Sequence, residues 1–207
     1  MGDRIQRNCN DIIQQVISKD TSFFGEGKME KDMILGEMYG VRALVHFDLF
    51  RLFCPAPITQ NTGRAIPYVT KYPDLQPSYQ DAPAFMDSVI MDMTRAQSLL
   101  AVVDTVFNRR QNTSVEHRVR SEGKGLVDSP DDFFLYRATR MNYFAAKGLM
   151  ARVQLWGGDK EKAAITAKEV IAEGQAEGAE FFPFVTNSEA TSSNPDRVFY
   201  SEVLFGT

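Results

Sequence analysis

Two histidines, His46 and His117, and two cysteines, Cys9 and Cys54, are the side chains of this 207-residue sequence best suited to acid–base, nucleophilic or metal chemistry. Their spacing supports none of it. His46 lies two positions from Asp48, and on a helix that separation puts the two on different sides, so the carboxylate cannot orient the imidazole as a base. Neither cysteine belongs to a CxxC pair, and two cysteines are too few for a metal-ligand cluster. They read as buried free thiols, with a Cys9–Cys54 disulfide as the rarer alternative. No serine occupies a G-x-S-x-G elbow, no HExxH is present, and the phosphate-cradling glycine patterns are missing. Two carboxylates at a set separation suffice for glycoside hydrolysis, and Asp131-Asp132 or Glu37 with Asp48 could be cited. Among 27 acidic residues, however, such pairs arise by chance. The sequence predicts a protein that is not an enzyme, with no catalytic residue, no metal ligand and no cofactor.

The elements that would position any site come from an ordinary globular composition, 43% hydrophobic and 24% charged. A net charge of −4 argues against sequence-independent attraction to nucleic acid. No apolar run approaches the roughly 18 residues that span a bilayer.

The pattern is helical and centres on 28–57. Ile34, Met38, Val41, Val45, Leu49 and Leu52 recur every three or four residues, predicting one buried stripe. Gly36, Gly40 and Ala43 lie among the large residues, which predicts close approach of a neighbouring helix. Pro55 and Pro57 end the helix. Glu37, Arg42, Asp48 and Arg51 read as structural ion pairs and caps rather than ligand contacts.

This stretch resembles the SusD/RagB family of nutrient-binding outer-membrane lipoproteins. The resemblance rests on Gly36-Glu37, Arg42-Ala43, Phe47-Asp48-Leu49 and Arg51-Leu52-Phe53 with the proline exit, with Cys54 standing where the family has glycine. Upstream, 3–18 reads as a helix with Ile5, Cys9, Ile12, Ile13, Val16 and Ile17 inward, and Asn8-Cys9-Asn10-Asp11-Ile12-Ile13 fits the family as well. Asn8 and Asn10 are expected to bond to neighbouring backbone. Residues 55–81 hold five prolines and no helical period. An extended loop is expected there, with 66–70 a short edge strand and Tyr68, Tyr72 and Tyr79 pinning the loop to the helices more readily than stacking on sugar.

A helix is predicted over 82–103, capped by Asp81 with Pro83 in its first turn, and burying Met86, Val89, Ile90, Met93, Ala96, Leu100 and Val103. Residues 104–136 are polar with weak periodicity and read as a poorly structured linker or insertion. Its basic side chains, Arg109, Arg110, His117, Arg118, Arg120 and Lys124, lack the aromatic interleaving of a single-strand binder.

Helices are then predicted over 137–156 and 160–174, the second burying Ala163, Ala167, Val170 and Ile171. The pair is similar to a tetratricopeptide unit, with Ala151 and Ala163 as its small residues and 158–161 as its turn. A second resemblance to the SusD family lies here, through Arg137-Ala138-Thr139, Ala145-Ala146, Leu149-Met150-Ala151-Arg152-Val153 and Leu155, and a third through Ser201-Glu202-Val203-Leu204-Phe205. Trp156 is expected to pack inward, and Phe181, Phe182 and Phe184 to form an apolar knot.

The fold expected is all-α: helix pairs stacked as a tetratricopeptide-like, right-handed α-α superhelix with long irregular loops, since each hairpin exposes a face that only the next can cover. Residues 1–207 read as one such region and a piece of a longer protein. The resemblance implies a surface-exposed outer-membrane protein, lipid-anchored at full length through a cysteine behind a signal peptide. Such a protein would capture an oligosaccharide or other nutrient and deliver it to a TonB-dependent, SusC-like transporter, with no nucleic-acid partner. It carries no ligand-contact residue over to this chain. The competing expectation is a repeat scaffold that binds a protein partner and no carbohydrate.

Overall fold

A computed structural model describes residues 2–54, 63–113, 132–175, 181–195, 197 and 199–205. The order is α1 (Gly2–Ile17), α2 (Gly27–Phe53), β1 (Arg64–Pro67), β2 (Tyr79–Asp81), α3 (Ala82–Val102), α4 (Arg109–Thr113), α5 (Tyr143–Trp156), α6 (Lys160–Gly174) and the single turn α7 (Asn187–Ala190). Helices pack as successive neighbours, α1 on α2, α2 on α3, α3 on α5 and α5 on α6, which is the α-α superhelix expected. The strand pair β1–β2 is antiparallel and is the only sheet among the described residues.

One hydrophobic core joins three helices. Met33, Ala43, Phe47 and Phe50 of α2 meet Phe85, Val89, Met93, Ala96 and Leu100 of α3 and Ala145, Ala146 and Val153 of α5. The close approach of a helix expected at the glycines of α2 is present at Gly36, where a Cβ would lie 2.6 Å from Leu100 Cγ of α3; at Gly40 the neighbour is Met141 Cγ, 2.5 Å away, in the non-helical stretch before α5. The stripe itself is corrected. Ile34, Met38, Val41, Val45 and Leu49 are only half-buried, and Leu52 is 74% exposed. Beside Met33 and Leu35, the innermost side of α2 carries Gly36, Gly40, Ala43, Phe47 and Phe50, small and aromatic residues that a count of large aliphatics passes over. Val45 and Leu49 instead face α1, where a Cβ on Gly2 would meet them at 3.5 and 3.3 Å.

Helix α2 ends at Phe53, and Cys54 is extended with φ −110°, a conformation open to any side chain at the family's glycine position. In α1, Cys9 and Ile13 are buried as expected, but Ile12 and Ile17 face solvent. Helix α3 and its cap match the expectation except that Ile90 is only half-buried: the Asp81 carboxylate accepts from the Ala84 N–H at 2.8 Å and a proline stands in the first turn. The short strand falls at 64–67 rather than 66–70, and its partner 79–81 was not foreseen.

Both described ends of 104–136 are built into the core. A π-helical turn, Val103–Phe107, leads into α4, and Asp104, Asn108, Phe134 and Leu135 are buried. His117, Arg118, Arg120 and Lys124 lie outside the described residues.

The helix expected from Arg137 begins six residues later, at Tyr143, after a 3-10 turn over Arg137–Thr139. In α6, Ala163 and Val170 are buried, whereas Ala167 and Ile171 face solvent, because α5 covers only one narrow side. Phe181 and Phe182 pack on Phe144, but Phe184 is exposed. Both cysteines are free thiols; Cys9 is buried, and burial pushes its pKa up to about 11.

Candidate functional site

Two buried polar clusters tie the helices together, and the first of them holds a surface loop in place. Arg42 on α2 makes a bidentate pair with Asp92 on α3, Nε to Oδ2 at 2.7 Å and Nη2 to Oδ1 at 2.9 Å. Its remaining nitrogen, Nη1, donates to Asn10 Oδ1 on α1 at 2.8 Å. The Tyr68 hydroxyl donates to Asp92 Oδ2 at 2.6 Å. Burial opposes the guanidinium charge, and the Asp92 carboxylate outweighs it, so Arg42 is held above its ordinary pKa. Burial, together with Asp92, raises Tyr68 well above its usual value.

His46, one turn along α2, accepts from the Val69 N–H through Nε2 at 3.0 Å. Nδ1 therefore carries the proton and donates to the Arg42 carbonyl at 2.8 Å. The imidazole stacks on the Tyr68 ring, centroids 3.9 Å apart. Burial, with the neighbouring Arg42 charge adding to it, lowers its pKa from 6.5 to about 4. It is a neutral structural group with both nitrogens engaged, and no carboxylate contacts it as an orienting partner.

These side chains grip the backbone that follows β1. Asn10 Nδ2 donates to the carbonyls of Val69 and Lys71 at 3.0 and 3.3 Å. Gln14 takes both backbone groups of Tyr72, donating to its carbonyl and accepting from its N–H, each at 2.8 Å. Residues 69–72 are thus anchored to α1 and α2, and the connection presents Tyr72 at 43% and Tyr79 at 64% exposure. Of the three tyrosines expected to pin the loop, Tyr68 does so and the other two face outward. Asn10 bonds to backbone as expected, and Asn8 is exposed.

The second cluster fixes the start of α5. Arg137 donates to Asp104 through Nε at 2.8 Å and Nη2 at 3.0 Å, pairs through Nη1 with Glu37, and reaches the Met141 carbonyl at 2.9 Å. Burial opposes its charge, but Asp104 and Glu37 prevail and hold its pKa above the ordinary value. Asp104 Oδ2 also accepts from the Tyr143 N–H at 2.8 Å, satisfying an orphan donor of the first turn. Asn142 is the N-cap, accepting from Ala145 N–H at 2.8 Å. Arg140 pairs with the other Glu37 oxygen at 2.9 Å.

Glu37 and Arg42 therefore form structural ion pairs as expected, Glu37 with the turn before α5 and Arg42 with α3, while Asp48 and Arg51 pair with each other at the surface, 3.1 Å apart. Trp156 is half-buried and meets Phe47 edge-on, 6.4 Å between centroids, with Arg51 over its face at 5.3 Å. Asp92, Asp104 and Gln14 carry no role in the sequence reading, and Arg137 enters it only as part of the Arg137-Ala138-Thr139 resemblance. A signal existed for Asp92, which follows Phe85 and Val89 and precedes Ala96 at core spacing. Gln14 and Asp104 carry no comparable mark. Among the described residues no group of three or more His, Cys, Asp or Glu could hold a metal ion.

Solved structures share this helical fold. A SusD superfamily protein from Bacteroides thetaiotaomicron matches 91% of this chain at 24% identity with a TM-score of 0.63. The fold is SusD-like. A SusD superfamily protein from Bacteroides vulgatus matches 86% of the chain at 22% identity, TM-score 0.60. A SusD-like carbohydrate binding protein from the same organism matches 91% at 13% identity, TM-score 0.61. The SusD-like chain spans about a third of the length of these structures, 33%, 33% and 32% respectively. No family model matches the chain, and no curated protein matches it by sequence.

Proposed function

We propose that this SusD-like chain is part of a cell-surface, lipid-anchored outer-membrane protein that captures an oligosaccharide or other nutrient and delivers it to a TonB-dependent, SusC-like transporter. The observation that supports the reading is the shared fold with a SusD-like carbohydrate binding protein over most of the chain. The polar clusters fit it as well: every buried ionic group described above is spent on tying helices and loop together, and none is poised as acid, base or nucleophile. Binding is non-covalent, by stacking and hydrogen bonds to hydroxyls, with no catalysis and no cofactor. No described helix is long and apolar enough to cross a membrane.

Affinity electrophoresis of the full-length protein through gels cast with starch, xylan or mannan tests this. Retardation by one of them, relieved by the free polysaccharide, is the expected result. Unretarded migration in all three, with tight association to a protein alone, overturns it in favour of a repeat scaffold.

A further inference from the structure

The connection between the two strands is held far more firmly than closing a loop requires. Every residue from Val69 to Tyr72 has a backbone group within 3.5 Å of a side-chain polar atom of α1 or α2. At Tyr72 a single amide, that of Gln14, takes both the N–H and the carbonyl. The ring that this clamp carries stays 43% exposed, and its hydroxyl makes no hydrogen bond to any described residue. Its neighbours Lys71, Asp74 and Gln76 are exposed polar groups. An aromatic face beside hydrogen-bonding side chains suits a ligand with one apolar face and a rim of hydroxyls. Backbone fixed in advance removes part of the ordering cost of binding.

We propose that residues 69–76 form a contact site for a neutral oligosaccharide on this clamped backbone, with Tyr72 stacking on a pyranose ring. The site rests on the carbohydrate-binding reading above and deepens it by naming where the sugar touches this chain. Gln14 is the positioning residue: it touches no sugar and sets the platform's angle from α1.

The same gels separate the two claims. With the full-length protein, Tyr72→Ala is expected to weaken retardation about tenfold, Tyr72→Phe to stay within about twofold because the face is kept, and Gln14→Ala to weaken it severalfold. Because Tyr72 lies outside the core, the Tm of Tyr72→Ala stays within about 2 °C of the parent. A parent that is retarded together with a Tyr72→Ala variant retarded equally overturns the site and leaves the function standing. A parent retarded by none of the three polysaccharides overturns both. Loss of a protein partner from Tyr72→Ala with glycan retardation intact makes the loop a protein contact and also overturns the proposal.

Discussion

Arg42 and Arg137 sit at the same kind of position, fully desolvated guanidinium groups each facing a bidentate carboxylate from another element, Asp92 on α3 and Asp104 beyond its end. A buried pair of this kind adds little over an apolar pair of equal shape, but stripping one partner leaves a stranded charge at a cost of about 3–5 kcal/mol. The pairs therefore specify register more than they add stability. The Arg42 pair also sets the geometry around His46, whose neutral state is part of the fold. In the folded chain the imidazole, faced by Arg42, Asp92 and Tyr68, stays unprotonated down to about pH 4, whereas the unfolded chain protonates it near 6.5. Between those values the unfolded state binds the extra proton, so stability falls as pH falls from about 6.5 to about 4 and this group adds no further loss below. At about 1.4 kcal/mol per pH unit the penalty approaches about 3 kcal/mol. Urea denaturation at pH 7, 5.5 and 4 should show that decline, and His46→Gln should flatten it in this window; an identical slope in the variant would exclude His46 as its source.

At the scale of the element, α2 and α5 show how the same residue type takes opposite roles. Gly36 is at the α2–α3 contact, where an added methyl would sit 2.6 Å from Leu100 Cγ and 2.9 Å from Cδ2. Gly148, inside α5, would meet only Leu204 Cδ1 at 3.5 Å. Alanine gains about 1 kcal/mol of helix propensity at either position, while overpacking a tight core costs about 1–3 kcal/mol. Gly36→Ala should therefore destabilise by up to about 2 kcal/mol, and Gly148→Ala should stabilise by up to about 1 kcal/mol. Chemical denaturation of the two single variants checks the opposite signs. The late start of α5 follows from local competition. The Arg137 guanidinium is committed to Asp104 and Glu37, and Tyr136 takes a left-handed φ of 60° just before it. The helix begins only where Asn142 and Asp104 cap it.

For the whole molecule, α2, α3 and α5 share one core, so the described stack should unfold as a unit rather than hairpin by hairpin. Met33→Ala in α2 and Val153→Ala in α5 should each shift the same single thermal transition, by a loss of roughly 2–4 kcal/mol for the first and 1–3 kcal/mol for the second. Two resolved transitions that respond separately would contradict a continuous core. The sequence by itself determined the helical class, the order of the long helices, the Asp81 cap and the close approach at Gly36 and Gly40. All of these follow from periodicity, capping chemistry and backbone conformation within a few turns of chain. Only the tertiary structure decided which side of α2 is innermost, that Asp92 and Asp104 receive the two arginines, that Gln14 clamps Tyr72, and that Leu52, Ile171 and Phe184 face solvent. The reason is that burial and pairing depend on which distant surface arrives. Asp104 and Arg137 stand 33 residues apart, and Gln14 and Tyr72 stand 58 apart. No local pattern of spacing or propensity carries the identity of a partner so remote.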